Sequence, residues 1–305
     1  MDAHTTAEFV ERSACISCQD KRLTELSSGR FDEGLVKEFI EQDPWGEHPA
    51  PFLRGKPWSF VRCENCSLTF HRYILSPEWN ERRFSRWMTQ EAIAAFEARL
   101  KTPTYEFEQA SHHVEHVLRI ARLTRSIRGS DATRVLDFGC GYGGFLYMCS
   151  MFGFQAFGVD RSSAKREYGR FPGIFAEIEE VADKGPFHAL TLFQVLEHLD
   201  DPHALMARLR GLLAEGAILV LETPDCSGVS DIRNRQDYYK IHPLEHINGF
   251  TAATMKDFAA RLGFEAIKRP IGSVTSDPKK ALGKVGKWGL GSVLKPTTEL
   301  YFRKT

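Results

Sequence analysis

The pattern of apolar and polar positions changes twice along the 305-residue chain. Up to about residue 85, short apolar stretches such as WSFVRC and LTFHRY alternate with segments rich in proline and glycine, which predicts short strands joined by loops. From about 86 to 128, apolar residues recur at helical spacing, with Val114, Val117 and Leu118 on one face. Beyond that point, strand-like and helix-like segments alternate, which predicts a mostly parallel sheet with helices on both faces.

This pattern predicts a small N-terminal domain over 1–85 and an α/β domain over 86–305. Hydrophobic residues make up 42% of the chain and charged residues 26%, which is enough apolar material for a buried core. The 40 basic and 40 acidic side chains give a formal net charge of zero, so charge gives no argument for binding nucleic acid or an anionic membrane. We also expect neither a membrane span nor a signal peptide, and hence a cytoplasmic protein.

Four of the seven cysteines form two CxxC pairs, Cys15/Cys18 and Cys63/Cys66. An odd number of cysteines without a secretory signal argues against a disulfide framework. Two CxxC loops in a reducing compartment can present four thiolates to one tetrahedral Zn²⁺, and four thiolates leave no open position for substrate. The sequence therefore predicts a structural zinc site in the N-terminal domain. The alternative is four reduced cysteines that bind no metal.

The stretch RVLDFGCGYGG, residues 134–144, is an apolar strand followed by a glycine-rich loop. Glycines let the backbone approach a ligand closely, and the helix that follows begins with unpaired N–H groups. A second strand, AFGVD, ends in Asp160, which is placed to accept hydrogen bonds from ribose hydroxyls. The GxGxxG spacing of Gly139, Gly141 and Gly144 also fits a dinucleotide site, so both kinds of cofactor are considered.

The stretch VLDFGCGYG resembles motif I of class I S-adenosylmethionine-dependent methyltransferases, with Asp137 as its acidic residue. FHALTLFQVLEHLDDP, residues 187–202, is similar to the fourth strand and following loop of that family, and TELYFRK to its antiparallel seventh strand. The resemblance implies a Rossmann-like sheet of seven mostly parallel strands and S-adenosylmethionine as cofactor. A carboxylate at Asp137 would repel a dinucleotide pyrophosphate but not a sulfonium amino acid. The residues that the resemblance assigns to the cofactor are Asp137, Gly139, Cys140, Gly141, Asp160 and Gln194.

The four-cysteine segment before this domain is similar to the zinc-binding head of sugar C-methyltransferases, which act on nucleotide-linked keto-deoxysugars. His198, Glu245 and His246 match the histidine and the Glu-His pair that surround the substrate in that group. The sequence departs from the group in two ways. Pro243 stands where a tyrosine is usual, and no counterpart of the large C-terminal domain follows the last strand.

Methyl transfer to a hydroxyl or carbon acid requires a base that removes a proton. His246, His198 and Glu245 are the candidate catalytic residues, and histidine suits the role because it titrates near neutrality. We take His246 as the first candidate, with Glu245 or His242 orienting its ring. His198 could instead order the cofactor pocket without taking a proton.

Residues 112–116 read HHVEH, which fits the HxxEH pattern of some zinc peptidases. A peptidase would need a third metal ligand, and peptidase chemistry would leave the downstream motifs without a role. The simpler interpretation is a helix that leads into the first strand of the sheet, with partly exposed histidines.

The acceptor is expected to be a small molecule, such as a sugar or another secondary-metabolite intermediate, methylated on oxygen or carbon. Nine basic residues after position 265 are expected to form a solvated surface, which could steer a phosphorylated or nucleotide-linked acceptor. Two other functions stay open at this point. They are an NAD-dependent oxidoreductase on the same topology and a zinc-bearing binding module without turnover. The sequence leaves the oligomeric state undetermined.

Overall fold

A computed structural model describes residues 6–169, 171–270, 282 and 298–305. The chain divides into two compact units. The first, here called the cysteine unit, combines Met1–Lys101, Leu196–Pro202 and Pro224–Thr254. The second, here called the sheet unit, combines Thr102–Val195, His203–Thr223 and Met255–Thr305.

The described residues form short strands in the first third of the chain and alternating strands and helices after it. The strands are β1 (Phe9–Glu11), β2 (Leu23–Arg30), β3 (Pro57–Cys63), β4 (Thr69–His71), β5 (Tyr73–Leu75), β6 (Arg134–Phe138), β7 (Gln155–Val159), β8 (Ile174–Phe175), β9 (Phe187–Phe193), β10 (Leu213–Glu222), β11 (Asn248–Gly249), β12 (Phe264–Ile267) and β13 (Leu300–Lys304). The α-helices are α1 (Gly34–Gln42), α2 (Pro77–Arg82), α3 (Gln90–Leu100), α4 (Tyr105–Arg128), α5 (Gly144–Met151), α6 (Ser163–Glu167), α7 (Pro202–Gly211), α8 (Arg235–Lys240) and α9 (Ala252–Arg261). Short 3-10 helices lie at Ala50–Phe52, Ile178–Lys184 and Leu196–His198, and a five-residue π-helix at Arg83–Trp87.

The described part of the sheet unit contains a seven-stranded sheet in the order β12-β13-β10-β9-β6-β7-β8. Neighbouring strands from β10 to β8 run parallel, whereas β13 is antiparallel to both β10 and β12. The prediction of a Rossmann-like, mostly parallel sheet with an antiparallel last strand is therefore confirmed.

Consecutive buried apolar residues form the central strands of this sheet. Val135 and Leu136 in β6, and Ala189 and Leu190 in β9, are all fully buried. A strand with both faces covered has no polar alternation, which is why these segments read as continuous apolar runs. Helices α4 and α5 complete the core, with Val117 of α4 buried in the same cluster.

The cysteine unit has a four-stranded sheet in the order β11-β4-β3-β2 and a two-stranded pair, β1 and β5. Its core is rich in aromatic side chains, including Trp58, Phe60 and Trp87. Tyr238, from the Pro224–Thr254 segment of this unit, belongs to the same core. Strand β11 extends the four-stranded sheet by pairing with β4. The predicted boundary between residues 85 and 86 lies inside this unit, so the existence of an independent domain over 1–85 stays a prediction.

The basic residues predicted near the C-terminus are only partly described. Lys304 is buried, and its ammonium donates to the main-chain oxygen of Leu213 at 2.8 Å. Arg303 donates to the main-chain oxygen of Gly216 at 3.0 Å. These two residues therefore hold the sheet together instead of forming the expected solvated face. Five of the predicted basic residues lie outside the described residues, namely Lys279, Lys280, Lys284, Lys287 and Lys295.

Among the described residues, no helix combines the length and the apolar character that a membrane span requires.

Candidate functional site

The glycine-rich loop of the sheet unit joins β6 to α5 and depends on left-handed backbone conformations. Gly139, Gly141 and Gly143 have φ values of 76°, 57° and 77°. A Cβ atom on Gly139 would lie 2.4 Å from Cγ2 of Val195, so packing requires glycine there. A Cβ on Gly141 would meet no described atom within 4 Å. The loop is therefore tightly packed at Gly139 and faces open space at Gly141.

Asp160 follows β7 and links that strand to the glycine-rich loop. Its Oδ2 accepts a hydrogen bond from the Gly141 N–H at 2.8 Å, and its Oδ1 accepts one from the Ser162 N–H at 2.9 Å. Each carboxylate oxygen keeps acceptor capacity beyond these bonds. The carboxylate is thus fixed in position beside the open side of the loop and can accept hydrogen bonds from hydroxyl groups.

Asp137 lies near the end of β6, where it is 3% exposed. The Thr191 hydroxyl donates to its Oδ1 at 2.7 Å. Burial raises the pKa of Asp137 to about 7, because charge is costly in an apolar environment and one hydroxyl offsets only part of that cost. A cation next to this carboxyl would favour its ionised form.

The remaining cofactor candidates are Cys140 and Gln194. The Cys140 side chain packs against Gly158, and a Cβ atom on Gly158 would lie only 2.5 Å from the Cys140 Sγ. Burial raises the pKa of the Cys140 thiol. Gln194 has a φ of 56°, and its Nε2 donates to Oε1 of Glu222 at 3.1 Å. All six cofactor candidates therefore lie at the carboxyl ends of three neighbouring strands, β7, β6 and β9, where open α/β sheets bind ligands.

The three catalytic candidates lie in the cysteine unit. The His198 Nδ1 lies 2.9 Å from the main-chain oxygen of Glu245. Since a carbonyl can only accept, Nδ1 carries the hydrogen, and Nε2 is the basic nitrogen of the neutral ring. The His198 and His246 rings meet edge to face with centroids 4.7 Å apart. The structure thus brings these two histidines together, and Glu245 contacts His198 through its backbone.

Two observations concern the expected role of His246, which stays a prediction. Burial lowers the pKa of His246 to about 4, so it is a weak base at neutral pH. His242 was expected as one residue that could orient His246, but both of its ring nitrogens are engaged elsewhere. Its Nδ1 accepts from the Leu244 N–H at 3.1 Å, and its Nε2 lies 2.7 Å from the Tyr238 hydroxyl, which donates to Asp43. His242 therefore stabilises the fold of its own segment.

Asn248 is a residue that the sequence did not single out. Its Nδ2 donates to the main-chain oxygens of Leu196 and Leu199 at 2.8 and 2.7 Å, and its Oδ1 accepts from Arg12 at 2.7 Å. Asn248 is 1% exposed. It therefore fixes the turn that carries His198. No local sequence signal marks it, because its partners lie about 50 and 236 positions away.

The four paired cysteines converge in the cysteine unit. The sulfur of Cys15 lies 3.5 Å from that of Cys66, and the sulfur of Cys18 lies 3.5 Å from that of Cys63. All four sulfur atoms lie within 4.8 Å of one another. Four sulfurs bound tetrahedrally to Zn²⁺ at about 2.3 Å are about 3.8 Å apart, so the donor set and its spacing fit this ion.

The two CxxC loops have the same backbone geometry. Gln19 and Ser67 each follow the second cysteine of a pair, and both have left-handed φ values, 62° and 63°. In each loop the N–H of that residue donates to the carbonyl oxygen of the first cysteine at 2.9 Å. Such repeated turns hold the two thiols of a pair on one side of the loop. This matched geometry is typical of paired metal-binding loops.

A family comparison identifies the enzyme class. The sequence model of a family described as "Methyltransferase domain" matches residues 81–269, more than half of the chain. The chain belongs to this family. The enzyme class predicted from motif I, a methyltransferase, is thereby confirmed, and the oxidoreductase alternative loses its support.

Curated relatives carry the same class of name. A "Ubiquinone biosynthesis O-methyltransferase" of Glaesserella parasuis is 28% identical over 154 residues, covering 44% of this chain and 64% of the relative. The protein of that name from Alkalilimnicola ehrlichii is 27% identical over 122 residues, covering 36% and 49%. The chain thus spans between about half and two thirds of the length of these relatives.

Among solved structures, the plantazolicin methyltransferase BpumL in complex with SAH is similar to this chain. It is 14% identical, with a TM-score of 0.48, and the match covers 74% of this chain and 94% of that one.

Proposed function

We propose that this methyltransferase transfers the methyl group of S-adenosylmethionine to a small-molecule acceptor. The observation that carries the proposal is the fixed Asp160 carboxylate beside Gly141, where the loop faces open space. Ribose hydroxyls need such an acceptor, and a close approach of the ligand to the backbone needs a residue without a side chain.

Different residues of the sheet unit bind different parts of the cofactor. Asp160 accepts hydrogen bonds from the ribose hydroxyls, and Asp137 lies toward the cationic methionine end. A buried carboxyl with a pKa of about 7 becomes ionised when a cation binds beside it, which makes the interaction favourable. Gly139, Cys140 and Gln194 form the walls of the same site.

We propose an oxygen acceptor as the first case, with a carbon acceptor of the sugar type as the second. The curated relatives named as O-methyltransferases support the first. Oxygen and carbon acids both lose a proton on methylation. His198 is the better base of the two adjacent histidines, because its Nδ1 is fixed by the Glu245 carbonyl and its Nε2 is the basic nitrogen. A neutral His246 packs against it.

We further propose that Cys15, Cys18, Cys63 and Cys66 hold one structural Zn²⁺. The ion would connect the loop after β1 with the β3–β4 loop of the cysteine unit. Since all four ligands are thiolates, the ion stabilises this unit and takes no part in methyl transfer.

Isothermal titration calorimetry tests the cofactor directly. We expect micromolar binding of S-adenosylhomocysteine and no measurable binding of NADH. Incubation with S-adenosylmethionine labelled in the methyl group and with metabolite extracts should then transfer label to a small molecule. Binding of NADH without binding of S-adenosylhomocysteine would contradict the proposal, as would the absence of labelled product from every extract.

A further inference from the structure

A second cluster of metal-ligand side chains lies in the sheet unit, away from the four cysteines. His112 and His116 lie one turn apart on α4, Glu222 is the last residue of β10, and Glu299 immediately precedes β13. One ligand atom from each of these four residues lies within 4.8 Å of the other three. Two imidazoles and two carboxylates therefore converge from three elements that are distant in sequence.

The spacings between the ligand atoms are close to those of ligands around one ion. His112 Nε2 and His116 Nε2 are 3.2 Å apart, and His116 Nε2 is 3.7 Å from Oε2 of Glu222. His112 Nε2 is 3.9 Å from the same Glu222 oxygen and 3.7 Å from Oε2 of Glu299. A tetrahedral ion with bonds of about 2.1 Å to nitrogen and oxygen separates its ligands by about 3.4 Å.

Three of these residues have one atom held by a partner outside the cluster. Oε2 of Glu299 faces the cluster and also accepts from Arg269 at 2.8 Å. His116 Nδ1 lies 2.7 Å from the Tyr301 hydroxyl. With hydrogen on Nδ1, the ring donates to this oxygen and presents the Nε2 lone pair to the cluster. Oε1 of Glu222 accepts from Gln194, and Oε1 of Glu299 accepts from Arg119 at 2.9 Å. Metal-bound histidines and carboxylates are usually held in this way by outer partners.

The charge and burial of Glu222 also indicate a cation. Its Oε2 is buried and has no hydrogen-bond partner among the described residues. Glu299 is paired with Arg119 and with Arg269, at 2.9 and 2.8 Å, so its charge is balanced by neighbouring guanidinium groups. The ionised form of Glu222 faces two imidazoles, and the buried oxygen of this carboxylate is stabilised by a partner of opposite charge.

The HxxEH pattern has a different meaning here from the one it has in peptidases. Glu115, the acid of the pattern, pairs with Arg119 on the same helix at 3.0 Å. The two histidines of the pattern instead lie next to Glu222 and Glu299. This proximity could not be predicted from the sequence, because both glutamates are more than 100 positions away.

We infer that His112, His116, Glu222 and Glu299 form a binding site for one divalent transition-metal ion of the zinc class. Mixed imidazole and carboxylate ligands suit Zn²⁺, Co²⁺, Fe²⁺ and Mn²⁺. The site is distinct from the four-cysteine cluster, and it connects α4 with the ends of β10 and β13. A bound ion should therefore stabilise the sheet unit.

Cobalt binding to the full chain tests this inference and distinguishes it from the cysteine site. Co²⁺ in a thiolate site gives intense sulfur-to-metal charge-transfer absorption, whereas imidazole and carboxylate ligands give d–d bands without it. On protein purified with zinc and then treated with a mild chelator until one zinc ion per chain remains, titration with Co²⁺ should give one further ion per chain with d–d bands and no thiolate absorption. Calorimetry of the same titration should give its affinity, and the melting temperature should rise.

Three variants complete the test. Glu222→Gln keeps the volume of the side chain and should weaken cobalt binding roughly 100-fold or more. Tyr301→Phe removes the outer partner of His116 and should weaken it about 10- to 100-fold. His113→Ala, on the same helix and outside the cluster, should leave the affinity unchanged. Absence of the additional cobalt ion would overturn the inference, as would equal affinities in Glu222→Gln and His113→Ala. Binding of S-adenosylhomocysteine, measured on the same samples, reports separately on the proposed cofactor.

Discussion

The Thr191 hydroxyl donates a hydrogen bond to Oδ1 of Asp137 across neighbouring strands β9 and β6, at 2.7 Å. Both side chains are buried, and this bond favours the ionised carboxylate. Burial acts in the opposite direction and prevails, which raises the pKa of Asp137 from 3.8 to about 7. The carboxyl at the centre of the proposed cofactor site therefore destabilises the ligand-free protein when it is ionised.

The first prediction concerns the pH dependence of stability. The pKa of Asp137 is higher in the folded than in the unfolded protein. Its contribution to the free energy of unfolding is therefore most favourable below about pH 4 and is lost as pH rises toward 7. This loss is about 1.4 kcal/mol per pH unit between the two pKa values. Asp137→Asn cannot ionise, so its melting temperature should exceed that of the wild type more at pH 8 than at pH 5. Thermal unfolding by circular dichroism measures this difference.

Asp131→Asn is the control for that prediction, since Asp131 is an exposed acid in the same unit. Its melting temperature should follow that of the wild type at both pH values. A constant difference between Asp137→Asn and the wild type across this range would contradict the raised pKa. In Asp137→Asn, we expect affinity for S-adenosylhomocysteine to fall about tenfold or more. A neutral amide attracts the cationic amino-acid end of the ligand less strongly than a carboxylate does.

The second prediction separates two glycines of one loop. Both have left-handed φ values, so alanine should cost each about 1–2 kcal/mol of backbone strain. Gly139→Ala adds a clash with Val195 and should lower the melting temperature further. Gly141→Ala meets no described atom but enters the proposed cofactor space, so it should lose affinity for S-adenosylhomocysteine with little further loss of stability. Calorimetry and thermal unfolding of both variants give the comparison, and unchanged affinity in Gly141→Ala would contradict the proposed position of the ligand.

The sheet could be predicted because its signal is local. Buried parallel strands such as β6 and β9 are short apolar runs, and the glycine loop after β6 follows its strand directly in sequence. A four-thiolate metal site could also be predicted from the two CxxC loops, since each places two ligands within four residues. In these cases a short stretch of chain contains the whole physical reason for the structure.

The rest depends on contacts between distant positions. β2 reads LTELSSGR, which has little apolar alternation, and it is a strand because it pairs with β3. Asn248 lies in a two-residue strand that forms by pairing with Phe70 in β4. The partners of His112 and His116 lie more than 100 positions further along the chain. Local patterns do not specify such partners, because tertiary packing determines them.

The third prediction concerns the cysteine cluster. Protein purified without chelator should contain close to one zinc ion per chain at the four cysteines, and Cys63→Ser should lose it. Because the binding energy of a structural metal is folding energy, the loss should destabilise the cysteine unit. Metal analysis gives the stoichiometry, and hydrogen exchange should show faster exchange in β3 and β4.

Cys226→Ala serves as the matched control. Cys226 is a buried thiol of the same unit and lies outside the cluster, so this variant should retain the ion. If Cys63→Ser and Cys226→Ala retained equal amounts of zinc, the four-cysteine site would be contradicted. The His/Glu cluster of the sheet unit could hold zinc as well, so the count should be repeated in Glu222→Gln.

The last prediction distinguishes His198 from His246 as the base. With its hydrogen on Nδ1, His198 presents Nε2 as the basic nitrogen, whereas burial keeps the pKa of His246 at about 4. Using the acceptor found by methyl labelling, His198→Ala should lower kcat roughly 10²- to 10⁴-fold, with affinity for S-adenosylhomocysteine almost unchanged. His246→Ala should cost less, because it removes a packing neighbour of the base. His203→Ala, a histidine outside this cluster, should behave like the wild type.

A larger loss of kcat in His246→Ala than in His198→Ala would reverse the assignment of the base. The pH profile of kcat gives an independent test. If His198 is the base, the acidic limb of kcat should disappear in His198→Ala and persist in His246→Ala, since a base that has become protonated cannot take the proton of the acceptor.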